Sequence, residues 1–170
     1  MLKLLGAAII VIAAASVGIR MARAVRIEER YLSQLAKALE MMAWEIESRL
    51  TAAAPLCDLA ALQCSGALSD VFSALAKCFG EQDAADAGHM MDAVLLRFGS
   101  SLPASCHYRL RELGSILGAY EADEQVQALN SLRSRIERSL EELREGRTQR
   151  CRSYEVMGVC AGCALAILLL

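Results

Sequence analysis

YLSQLAKALEMMAWEIESRL, residues 31–50, decides the fold class. Leu32, Leu35, Leu39, Met42, Ile46 and Leu50 recur at three- and four-residue spacing, the mark of one broad apolar stripe along a helix. No Gly or Pro interrupts residues 19–54, so the pattern predicts a single helix continuing to about Ala53, where Pro55 forces a new start.

The stretch from Asp123 onward has the same character. Leu129, Leu132, Ile136, Leu140 and Leu143 keep helical spacing. Arg133 with Glu137 and Arg138 with Glu142 make i,i+4 pairs of opposite charge. Gly146 is the only glycine before Gly158, so a helix that tolerates it continues to the end of the chain. Between these two long helices the spacing predicts shorter ones. One opens at Pro55 and stops at Gly66. A second buries Leu68, Val71, Phe72, Leu75 and Phe79 and ends near Gly80. A third presents Met91, Val94, Leu95 and Phe98, and a fourth aligns Cys106, Leu110, Leu113 and Leu117 before Gly118. EQDAADAG, residues 81–88, is the most loop-like stretch. The expected fold class is all-α: a membrane-anchored helical bundle with two long antiparallel helices, shorter helices between them and a transmembrane helix at each end.

The membrane expectation rests on the two ends. Residues 4–19 and 156–170 carry no charged side chain. As helices they reach roughly 24 and 22 Å, short of a hydrocarbon core of about 30 Å, and local thinning or snorkelling of Lys3 makes up the difference. A cleaved signal peptide with a site at Ala22-Arg23-Ala24 is the rival for the first run; Arg20 and Arg23 beside that site favour retention. The domain limits that follow are an N-terminal span at 2–20, a central bundle at 21–154 and a C-terminal span at 155–170.

Charge sets the topology. Arg20, Arg23, Arg26 and Arg30 follow the first run, and Arg144, Arg147, Arg150 and Arg152 precede the second. By the positive-inside rule both clusters put the central domain in the cytoplasm and both termini outside, with the arginines against anionic headgroups of the membrane lipid. The body between them is acidic: residues 31–143 hold sixteen Asp or Glu against nine Lys or Arg, a formal −7. Such a surface does not track a phosphate backbone, which excludes nucleic acid as the expected partner.

Chemical motifs are absent from the sequence. His89 and His107 have no partners at ligand spacing, and Cys160 and Cys163 form a C-x-x-C inside the apolar run with no second pair. Cys57 and Cys64 fit core thiols, and Glu45 and Glu47 a solvated face. There is no P-loop, nucleophile elbow, dinucleotide turn or HExxH. The expectation is a chain with no catalytic residues, no cofactor, no metal and no small-molecule substrate. One motif does carry a mechanism: Gly158 and Gly162 form GxxxG, and Ala14 and Gly18 are four apart in the first run, so small residues permit close helix approach. The groove is filled either by the first span or by a partner's helix.

MLKLLGAAIIVIA, LSQLAKALEMMAWEI, LRELGSILG and SYEVMGVCAGCALAILLL, in that order and at matching spacing, resemble the stage III sporulation protein AB family over the full length. Tyr154, Gly158, Gly162 and Gln125 fall where that family tends to have Tyr, Gly, Gly and Gln; Tyr120-Glu121 replaces its usual helix cap. The resemblance implies a cytoplasmic domain similar to that of the inner-membrane platform protein of type II secretion and type IV pilus systems. It implies a place in the mother-cell membrane around the forespore, within a channel-like complex, with a secretion-type ATPase as partner. The loops around 51–55 and 121–124 are the expected docking face, with Glu121, Asp123 and Glu124 exposed on it. A membrane-tethered regulatory bundle that sequesters a soluble partner is the alternative function.

Overall fold

The computed structural model describes residues 2–81, 87–119 and 121–169, and places side chains for 23–81, 87–117 and 121–146. Among the described residues six α-helices follow one another: α1 (Leu2–Arg49), α2 (Ala53–Gln63), α3 (Ala67–Glu81), α4 (Ala87–Phe98), α5 (Ala104–Ala119) and α6 (Ala122–Leu169), with a 3-10 turn at Gly99–Ser101. There is no strand among the described residues. α6 runs through Gly146 without a break. α1 stops at Arg49, four residues before the expected end.

The chain divides into two compact units, one formed by Met1–Ile27 with Glu141–Leu170, the other by Glu28–Leu140. The second is the body, and the predicted stripes are its core. Leu32, Leu35, Leu39, Met42 and Ile46 are buried on α1, and Leu129, Leu132, Ile136 and Leu140 on α6. Leu68, Val71, Phe72 and Leu75 are buried on α3, and Leu110, Leu113 and Leu117 on α5. Phe79, Phe98 and Leu143 are only half-buried. Two expectations fail at the end of α1. Leu50 leaves the stripe and is 73% exposed, because the helix has already ended; Glu45, placed on a solvated face by its sequence, is only 8% exposed.

Direction through the body follows from specific contacts. The Ser65 amide donates to the Gln34 side-chain oxygen (2.9 Å), and Gln34 Nε2 donates to Ser65 Oγ (3.1 Å), so α2 folds back along α1. Gly66 makes the next reversal at φ +67, a conformation that costs little only without a Cβ, and the Tyr31 hydroxyl closes over it. α4 packs on α3 and on α5. The α4–α5 pair is antiparallel: Arg111 Nε donates to Asp92 (2.6 Å), and His107 shares a 2.7 Å hydrogen bond with the Gly99 carbonyl. A carbonyl only accepts, so Nε2 carries the proton.

α6 runs antiparallel to α5. Arg109 donates to Ser139 (2.9 Å), Arg135 pairs with Glu112, and Gln125 Nε2 reaches the Ile116 carbonyl (3.4 Å). Arg133 bridges Glu40 on α1 (3.1 Å) and Glu137 on its own helix (3.4 Å). The chain therefore enters the body at Glu28 and leaves it at Leu140 on the same side. α1 closes and α6 opens at the opposite end of the body.

Glycine 114 marks the tightest helix approach. A Cβ there would stand 2.7 Å from Met91 Cβ and 3.3 Å from the Ala87 carbonyl oxygen, so α4 would have to move. Gly80, inside α3, has open space around it. Gly114→Ala is expected to destabilise the body by about 1–3 kcal/mol. Gly80→Ala is expected to stabilise it by up to about 1 kcal/mol, because alanine loses less backbone entropy in a helix. Thermal unfolding followed by circular dichroism distinguishes the two directions.

Candidate docking surface

The far end of the body is built around an unusual helix stop. Leu50 closes α1 with its amide bonded to the Ile46 carbonyl (3.0 Å) and adopts φ +51, the left-handed conformation that glycine takes at most such stops. Its neighbours on either side are held by one carboxylate. Glu45 meets the Arg49 guanidinium at 3.6 Å and accepts the Thr51 hydroxyl at 3.1 Å. Arg49 also lies over the Trp44 ring, 5.5 Å from its centroid. Trp44 itself is 55% exposed.

α6 begins at the same end of the body. Glu121, Asp123 and Glu124 are all exposed, as expected of a docking face. Asp123 and Glu124 occupy the first turn, where their charge complements the helix dipole. Gln125 is explained by position: its amide side chain reaches back to an otherwise terminal carbonyl of α5, tying the two helices at their shared end. Residues 44–53 and 121–132 together carry five carboxylates (Glu45, Glu47, Glu121, Asp123, Glu124) and one cation, Arg49. That end thus presents four exposed carboxylates, Glu47, Glu121, Asp123 and Glu124, and two exposed large apolar side chains, Trp44 and Leu50. Trp44 lies off the stripe that Met42 and Ile46 share but was not singled out in the sequence, and the exposure of Leu50 depended on where α1 stops.

Of the arginines that flank the two apolar runs, Arg23, Arg26, Arg30 and Arg144 are exposed. Arg20, Arg147, Arg150 and Arg152, and the helix-packing residues Ala14, Gly18, Gly158 and Gly162, lie outside the residues whose side chains are described. So do the apolar runs 4–19 and 156–170; among the described residues no helix is long and apolar enough to cross a membrane.

Two other concavities mark the surface. A groove of about 570 Å³ between α3 and α4 sets Lys77 and Arg97 against Asp70 and Glu81, with Cys78 in its wall, so its charges balance. A cleft of about 290 Å³ lies by His89, Asp92 and Arg111. No group of three or more His, Cys, Asp or Glu among the described residues could hold a metal ion.

The four cysteines described, Cys57, Cys64, Cys78 and Cys106, are free thiols. Burial, with a smaller contribution from the Asp58 carboxylate, pushes Cys57 up to about 12. Burial pushes Cys64 up to about 11. Burial does the same for Cys106, to about 11; the Ser105 hydrogen bond opposes it and the Glu28 carboxylate adds to it. Unfolded thiols ionise from a value near 9.0, whereas the folded ones hold their protons to about 11 or 12, so stability falls as pH rises through that window. Maleimide at neutral pH is expected to modify half-buried Cys78 before Cys57, Cys64 or Cys106, which react only on unfolding. Peptide mass mapping of a labelling time course checks the order.

A solved structure of stage III sporulation protein AB superposes with a TM-score of 0.60 at 21% identity, covering 72% of this chain and 97% of that one. At that identity the likeness establishes the fold. No curated protein matches the sequence. The profile of the stage III sporulation protein AB family matches residues 3–170, all but the first two positions, and the chain belongs to that family.

Proposed function

We propose that this chain is a non-catalytic platform of the sporulation channel between mother cell and forespore, linking a cytoplasmic secretion-type ATPase to membrane partners. The observation that carries the reading is the shared side of entry and exit. α1 enters the body and α6 leaves it at one end, and the opposite end carries the acidic surface around Glu121, Asp123 and Glu124. With the runs 4–19 and 156–170 as membrane helices, the positive-inside rule puts the body in the cytoplasm. Arg23, Arg26, Arg30 and Arg144 then lie near anionic headgroups. Ala14, Gly18, Gly158 and Gly162 give the two spans, or a partner's helix, a close-packing face.

Membership in a sporulation family supports the setting. The sequence resemblance to type II secretion platforms supports the motor link. A motor that docks on the acidic end needs a basic contact surface, and complementary charge speeds encounter as well as fixing orientation.

The full chain, reconstituted in lipid nanodiscs, is expected to bind a purified secretion-type ATPase from the same cells saturably in calorimetry. Reversing Glu121, Asp123 and Glu124 together to Lys is expected to weaken binding about tenfold or more and to reduce its salt dependence. A folded, membrane-embedded chain that does not bind the ATPase contradicts the motor link. Carbonate extraction tests the anchors separately: the chain stays in the pellet, and one lacking residues 1–20 and 156–170 does not.

A further inference from the structure

We infer that the motor's main contact on this chain is apolar: Trp44, near the end of α1, and Leu50, the residue just past it, seat against an apolar surface rimmed by Lys or Arg side chains on the ATPase. The inference rests on the platform reading and names the anchor of that contact.

Leu50 is the starting observation. At φ +51 an L-residue with a side chain is strained, and this helix stop is a position where glycine removes the strain. A leucine here can serve folding by packing back onto its own helix, but this one is 73% exposed and leaves its side chain in solvent. Folding gains nothing from an apolar side chain held in that way. An interface does, because rigid apolar groups presented in advance lose little entropy on binding.

The turn is also braced. Glu45, buried at 8% exposure, holds Arg49 on one side of Leu50 and Thr51 on the other. Arg49 in turn lies over the Trp44 ring and restricts it. Tryptophan and arginine dominate the energetics of many interfaces, and this pair stands exposed and pre-arranged, Arg49 next to Leu50 in the chain and Trp44 six residues before it. The exposed carboxylates at the same end of the body, Glu47 on α1 and Glu121, Asp123 and Glu124 at the start of α6, set the partner's chemistry: apolar at the centre, basic at the rim.

Leu50→Gly makes a discriminating test because it relieves the backbone while deleting the side chain. In the nanodisc-embedded full chain it is expected to raise Tm by a few degrees and yet weaken ATPase binding about tenfold or more. Trp44→Ala is expected to weaken binding by a similar factor with Tm nearly unchanged, since the ring is not part of the core. If the wild-type chain binds and both variants bind as tightly, the anchor is overturned and the platform reading stands. If the wild-type chain does not bind, both fall. If the variants abolish self-association of the chain and leave ATPase binding intact, the patch belongs to a second copy and the inference is overturned.

Discussion

Leu35, Leu39 and Met42 on α1 and Leu129, Leu132 and Ile136 on α6 are fully buried, and everything else in the body depends on where those two rows are held. Each buried leucine contributes on the order of 1.5–3 kcal/mol by leaving water, so the rows outweigh any polar contact in this chain. Polar groups fix the register instead. Arg133 is anchored to Glu40 and Glu137, and Arg135 to Glu112; half-exposed pairs of this kind add little stability but discriminate between one helical offset and the next. Because the first and last helices of the body are antiparallel, the chain enters and leaves on one side, and the opposite side is free to differ in chemistry.

That difference is built from local rules. α1 stops at Arg49 although no glycine or proline stands there, and the stop is a left-handed leucine flanked by two residues bonded to a buried glutamate. α6 starts at the same end of the body with two carboxylates in its first turn, favoured by the helix dipole whatever else they do. Stability alone explains Asp123 and Glu124. It does not explain Leu50, whose side chain lowers the fitness of the turn and finds no cover. On the proposed reading, the same surface serves as the face toward a motor.

Much of the fold was legible in the residues. The stripes on α1, α3, α5 and α6 predicted their buried faces because helical spacing and burial are two views of one geometry. The helix ends were less so. Ala53 was the expected stop of α1 because Pro55 is a visible breaker, whereas the real stop at Arg49 is accompanied by a local contact between Glu45 and Thr51, six residues apart, that has no sequence signature. For the same reason Leu50 was counted with the core and Glu45 with the surface, each the reverse of its place. The acidic residues of the far end were correctly expected to be exposed; their apolar companions went unseen, since an isolated Trp44 off the stripe is unremarkable until Leu50 emerges at the same end. Family membership, by contrast, came from the succession of four stretches across the whole chain, which no single helix carries.

The central claim is that the body faces the cytoplasm, suspended from both of its ends, and the half-buried thiol of Cys78 offers a direct probe of it. Spheroplasts of cells expressing the full chain are treated with a membrane-impermeant maleimide, intact or permeabilised, and the peptide containing Cys78 is examined by mass spectrometry. The account predicts modification only after permeabilisation. Modification in intact spheroplasts would place the body outside the cell and contradict it.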